Sequence, residues 1–232
     1  MTTQNPTQGV ISEAWGLYTT HAQHLLSVSF VVYAAVAVIS AVLALGGGIG
    51  LVIGLVIQVI GIYWVVGALV VAVQDVRDGR ADLSISETFT RVRGEVPAII
   101  GLGFLAGFCI GLGLLLFIIP GAILATLWCV AVPVLVLEKA GILDSLGRSM
   151  QMVRGWGFQV FGILVIVFLI YIAFVVVLGL ILSPVNDSVS AFLSTIIVGT
   201  VVPPFLAVVF TLLYWRLRGA GAPPAAGPPP TA

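Results

Sequence analysis

Six long apolar runs alternate with short stretches in which apolar residues recur every three or four positions. The runs cover roughly 24–45, 50–73, 97–119, 120–137, 158–182 and 189–215. Each is about the length a helix needs to cross the hydrocarbon layer. Three of the short stretches are two-faced. Ile11, Trp15, Tyr18, Ala22 and Leu25 share one side of a helix, as do Ile85, Phe89, Val92 and Val96, and Ile142, Leu146, Met150 and Val153. In the third stretch Asp144, Arg148, Gln151 and Arg154 lie mostly away from the stripe. A helix with one apolar and one charged face, next to a span, is expected to lie in the interface plane.

This pattern predicts an all-α integral membrane protein. Its six transmembrane helices form three hairpins, each preceded by an amphipathic helix at the cytoplasmic interface. The starts align without gaps: Ile11-Ser12-Glu13-x-Trp15, Ile85-Ser86-Glu87-x-Phe89 and Ile142-Leu143-Asp144-x-Leu146. One membrane domain, 10–218, therefore reads as three repeats, 10–79, 84–139 and 142–218. Residues 1–9 and the proline-rich 219–232 are expected to be disordered. The first nine residues hold no Lys or Arg, so no removable signal is expected and the first span directs insertion.

Turns follow from glycine and proline. Gly46-Gly47-Gly48 closes the first hairpin and Pro120-Gly121 is expected to close the second. Gly141 is expected to turn the chain after Glu138-Lys139, and Gly155-Trp156-Gly157 to return it to the membrane. Gly50, Gly54, Gln58 and Gly61 line one face of the second span, and Gly103, Gly107 and Gly111 one face of the third. Such stripes allow close helix approach, within the chain or to a second copy. Pro133 would free the carbonyl of Cys129. Pro203-Pro204 would free those of Gly199 and Thr200, either as an ordinary kink or as a broken sixth helix beside a transport site.

Composition sharpens the class: the chain is 60% hydrophobic and 8% charged, which excludes an ordinary soluble domain. Lys+Arg and Asp+Glu balance at 9 each, so total charge points to no nucleic-acid partner. Its distribution is informative. If the runs cross as six spans, Arg77, Arg80, Arg91, Arg93, Lys139, Arg148, Arg154, Arg216 and Arg218 fall on one side together with both termini. By the positive-inside rule that side is cytoplasmic, in a bacterial inner membrane. Membrane lipids, anionic ones included, are the expected partners, with a protein partner or second copy also open.

Catalytic groups are scarce. No charged residue falls inside the expected spans. His21 and His24 are two ligands short of a metal site. Cys109 and Cys129 read as small hydrophobes, and Gln58 as a helix–helix hydrogen-bonding residue. The acids that open the short helices suit first-turn capping: Ser84-x-x-Glu87 is a capping box, with Gly141/Asp144 and Val10/Glu13 in the same places. No enzyme activity and no cofactor are implied. The candidate site is a polar cluster of Glu138, Arg148 and Arg154, which either fixes the third short helix or holds a lipid phosphate.

The run PVLVLEKAGILDSLGRSMQMVRGWGFQVFGIL, from Pro133 on, resembles part of the membrane-domain family named for glycerophosphoryl diester phosphodiesterases, and LLYWRLRG resembles its closing segment. The resemblance implies a bacterial membrane module without the soluble phosphodiesterase barrel, since no polar segment reaches domain length. The expected role is a scaffold or lipid-associated module of the envelope. The alternative is a small-solute or lipid transporter.

Overall fold

The computed structural model describes residues 6–78 and 83–220. Among them are ten helices and no strand: α1 Val10–Thr20, α2 Ala22–Ala44, α3 Gly47–Arg77, α4 Ile85–Val92, α5 Val96–Leu116, α6 Ile118–Leu127, α7 Ala131–Glu138, α8 Ile142–Val153, α9 Gly157–Leu182 and α10 Asp187–Ala220. Six segments are long and apolar enough to cross a membrane: α2, α3, α5, the α6–α7 pair, α9 and α10. The protein is thus all-α with six spanning-capable helices. Arg80 and the expected disordered tail beyond Ala220 lie outside the described residues, as do residues 1–5. Pro6 to Gly9, also expected to be disordered, form a turn tied down by Arg216, whose guanidinium donates to the carbonyls of Pro6 and Gln8.

Prolines and turns fall differently from expectation, for one physical reason. The N–H groups of a helix's first turn have no intrahelical partner, so a proline costs little there. Pro97 accordingly sits in the first turn of α5. Pro120 is the third residue of α6, so the second hairpin turns at Phe117, in extended conformation (φ −154°, ψ 133°), and not at Pro120-Gly121. Pro133 is likewise the third residue of α7, and the fourth span is interrupted before it, at 128–130. The turn after α7 is made by Lys139 in left-handed conformation (φ 52°), while Gly141 is extended. Span six is the exception: α10 continues unbroken through Pro203 and Pro204. The expected helix break therefore belongs to span four. Gly199, four residues before Pro203, receives the ring of Tyr33; a Cβ there would lie 2.2 Å from Tyr33 Cδ1.

Two of the short helices, α1 and α4, pack along the sides of spanning-capable helices. Glu13 of α1 pairs with Arg216, and Tyr18 Oη donates to Val201 O at 3.1 Å. From Arg216 to Val201 is about 22 Å of helix axis, so α1 runs up along α10. Val10, Ala14 and Tyr18 are its buried side. α4 lies along the last third of α3, with Leu83 N–H donating to the buried Asp75 and the Phe89 ring 5.8 Å from that of Trp64. A helix of 31 residues such as α3 is about 46 Å long, against roughly 30 Å of hydrocarbon, which leaves length for α4 to cover. Asp75, just past the apolar run that ends near 73, belongs to the end of α3.

Capping is uneven among the three. Only α4 has the full box: Ser84 Oγ accepts from Glu87 N–H, and Glu87 Oε2 accepts from Ser84 N–H at 2.9 Å. The Ser84 hydroxyl, which also donates to Glu87 Oε2 at 2.7 Å, and then the Ser84 N–H hold the Glu87 carboxyl below its ordinary pKa. α1 starts at Gly9 and α8 at Gly141, neither with a side-chain cap.

The main core lies at one end of the bundle. It joins Leu25 and Val28 of α2, Val65 to Val73 of α3, Val160 to Val167 of α9 and Phe205 to Leu217 of α10. Because the basic residues Arg77, Arg216 and Arg218 flank this region, it is called the basic end here. A second cluster joins α5, α7 and α8 through Ile99, Leu102, Leu135 and Leu146.

Candidate functional site

At the basic end, Glu138 closes α7 and the left-handed turn at Lys139 sends α8 back beside it. Arg148 Nε donates to Glu138 Oε2. The other carboxylate oxygen accepts from Tyr214 Oη at 2.9 Å, and Arg218 Nη1 donates to that same hydroxyl at 3.0 Å. Tyr214 and Arg218 are one turn apart on α10. The chain Arg148–Glu138–Tyr214–Arg218 thus ties α8, α7 and α10 together. The Glu138 side chain is 16% exposed and Arg148 48%. The ion pair alone is screened and worth about 0–1 kcal/mol. The bond from a fully buried tyrosine to a carboxylate is stronger, about 1.5–3 kcal/mol for a charged partner. Nearby, the guanidinium carbons of Arg77 and Arg218 approach the Trp215 ring at 4.4 and 5.4 Å.

The predicted trio is only partly assembled. Glu138 and Arg148 meet; Arg154, at the C-cap of α8, forms no ion pair among the described residues. Tyr214 and Arg218 complete the cluster instead. Their only signal in the sequence was the i, i+4 spacing within LLYWRLRG, and nothing local connects Tyr214 to an acid 76 positions away.

Arg154 has another place. With Arg148, Gln151, Trp156, Leu217 and Arg218 it lines an open cavity of about 510 Å³ between α8, the start of α9 and the end of α10. No Asp or Glu lines this cavity.

α8 itself differs from its predicted stripe. Leu146 and Val153 are buried, but Met150 is exposed and Leu143 is 72% exposed; Ser145 and Ser149 fill the inner face. The reason is the interruption of span four. Ser149 Oγ donates to Leu127 O at 2.7 Å, at the end of α6 where the helix ladder stops. A serine is needed there because a carbonyl left bare in an apolar setting is costly. The contact also places α8 beneath the broken span.

Deeper in the bundle the cavities are apolar. One of about 740 Å³ lies between α1, α9 and α10, lined by Trp15, Ile170, Phe174, Val201 and Phe205. Others of about 480 and 460 Å³ lie between α6 and α9, lined by Ala122, Phe161 and Phe168, and by Ile123 and Phe158. α9 therefore has an apolar cleft on each side.

The remaining sequence candidates do not gather. Among the described residues no group of three or more His, Cys, Asp or Glu could hold a metal. His21 Nδ1 lies 3.3 Å from Leu17 O, and His24 Nε2 is buried without a partner. Cys109 and Cys129 are both free. Gln58 is half-buried on α3. Thr200 Oγ1, beside the proline pair, is buried without a partner.

Comparison with known protein families, with characterised proteins and with solved structures finds no match to this chain. The phosphodiesterase membrane-domain resemblance rests on its motif residues alone.

Proposed function

We propose that this chain is a non-catalytic multi-pass protein of the bacterial inner membrane, with both termini cytoplasmic, that acts as a lipid-associated scaffold of the envelope. One observation carries the reading: α9 stands between two apolar clefts, while the basic residues of the described chain, Arg77, Lys139, Arg148, Arg216 and Arg218 among them, sit at or beside the helix ends opposite Asp187. Clefts walled by Phe, Ile and Val suit acyl chains or an apolar partner helix. The one-sided charge orients that end toward the cytoplasm.

Mass spectrometry of protein purified in mild detergent tests it. Phospholipid retained at fixed stoichiometry is the expected result; a lipid-free protein that moves solute across a vesicle wall would overturn it. Periplasm-active reporters fused after Ala232 should be silent, and those in the 183–188 loop active. The transporter reading has one observation in its favour, the interruption at 128–130, and loses its original one because α10 is continuous.

A further inference from the structure

We infer that the cavity at the basic end is a binding site for a phosphate ester, with Arg148, Arg154 and Arg218 as its cationic contacts. The inference draws on the lipid-associated reading only for the source of the phosphate. Three observations converge. First, the donors are uncommitted. Arg148 uses Nε on Glu138, which leaves its two terminal nitrogens without a partner among the described residues. Among the described residues Arg218 donates only through Nη1, to Tyr214, and the Arg154 side chain makes no hydrogen bond. A guanidinium edge of this kind matches two phosphate oxygens at once.

Second, the cations line one space. Like charges that share a cavity repel unless something offsets them. Glu138 does so from behind Arg148 without lining the cavity, and Tyr214 holds Arg218 by its hydroxyl. Glu138 and Tyr214 are thus positioning residues: they fix two arginines while leaving the cavity positive. Third, the walls suit an ester that enters from the membrane. Trp156 and Leu217 border the arginines, with Gln151 as a neutral donor. Tryptophan at such a depth is a usual interfacial residue. A volume of about 510 Å³ is within the range of small-ligand sites.

The ester belongs either to a lipid head group or to a soluble phosphate. The full chain in mild detergent is titrated with phosphatidylglycerol, with phosphatidylcholine and with inorganic phosphate, and read by native mass spectrometry and melting temperature. Phosphatidylglycerol is expected to bind and raise the melting temperature, with Arg154→Ala weakening it roughly tenfold or more. Arg154→Lys should recover part of the loss. Because the Arg154 side chain makes no ion pair or hydrogen bond among the described residues, the melting temperature of Arg154→Ala without ligand serves as the folding control. Glu138→Gln should weaken binding and also lower that unliganded temperature, which separates positioning from direct contact. If inorganic phosphate protects with the same Arg154 dependence and phosphatidylglycerol does not, the site stands and its source is soluble. If Arg154→Ala binds phosphatidylglycerol and phosphate as the wild type does, the site is wrong. The scaffold reading would survive that result if phospholipid is still retained in the clefts.

Discussion

In α3, Val65, Ala68, Leu69, Ala72 and Val73 are all buried, while Leu51, Val52, Leu55 and Val56 are each more than half exposed. The residues are of one chemical kind and lie on one helix. What changes is the company. The first group is enclosed by α10, α4 and the start of α2; the second packs against α2 at Gly50 and Gly54 and is otherwise exposed. The same contrast runs through α9, where Val160, Ile163 and Val167 are buried but Ile170, Val176 and Leu180 are exposed. In water such an exposed apolar surface would be a liability. In hydrocarbon it is not, because lipid tails are as apolar as leucine and helix association must come from packing. The basic end is a side-chain core, and the opposite end is held at glycine crossings.

Those crossings are tight. A Cβ on Gly50 would lie 1.8 Å from Leu43 O, and one on Gly113 would lie 2.8 Å from Gly121 Cα. Both contacts are with backbone, so no rotamer change relieves them. Gly103 receives the Tyr63 ring, whereas Gly107 and Gly111 have nothing within 4 Å. The predicted stripe on α5 is thus used at one position inside the chain and faces outward at two.

The contrast is broken or sharpened by substitution. The largest effect is expected at the basic end: Leu69→Ala, at a fully buried position, should cost about 2–5 kcal/mol in a reversible unfolding assay in detergent. Leu180→Ala, 69% exposed, should stay within about 0.5 kcal/mol. Equal losses at the two sites would refute the division. Next comes Gly50→Ala, expected to cost about 1–3 kcal/mol by forcing α2 and α3 apart, against almost none for Gly107→Ala. A cysteine cross-link between Ser40 and Gly54 positions, which lie in van der Waals contact, should form less readily in the Gly50→Ala background. Ser149→Ala should cost toward the lower end of about 1–3 kcal/mol by baring Leu127 O. Faster amide exchange at 128–131 would report it; unchanged exchange would mean the carbonyl has another partner.

The smallest effect concerns pH. The Glu87 carboxyl is held below its ordinary value by its bonds to Ser84. A group with a lowered folded pKa adds stability above its unfolded pKa and loses it as pH falls through the folded one. Protection of α4 amides should therefore weaken only in that acid window. Carbon NMR should show the Glu87 midpoint returning to the ordinary carboxylate range in Ser84→Ala. A midpoint indifferent to that change would remove the capping account.

Six spanning-capable helices and the Ser84–Glu87 cap were legible in sequence because each follows from local composition or from groups three residues apart; the buried sides of α1 and α8 were not, since Val10 and Ala14 replace Ile11 and Trp15, and Ser145 and Ser149 replace Met150. The pairing of Glu138 with Arg148 was also within reach, since one turn separates their elements. What lay beyond sequence is long-range. Proline reports that a helix starts within three residues, yet not on which side the chain turns, so the Phe117 turn and the 128–130 break were displaced in the reading. Continuity of α10 through Pro203-Pro204 was not legible, nor was the packing of Tyr33, from a helix more than a hundred residues away, over Gly199. Tyr214 joins Glu138 only because α7 and α10 end side by side. Apolar composition alone fixes that a helix lies in the membrane. Which of its faces meets protein and which meets lipid is decided by neighbours, because the hydrophobic signal is the same for both.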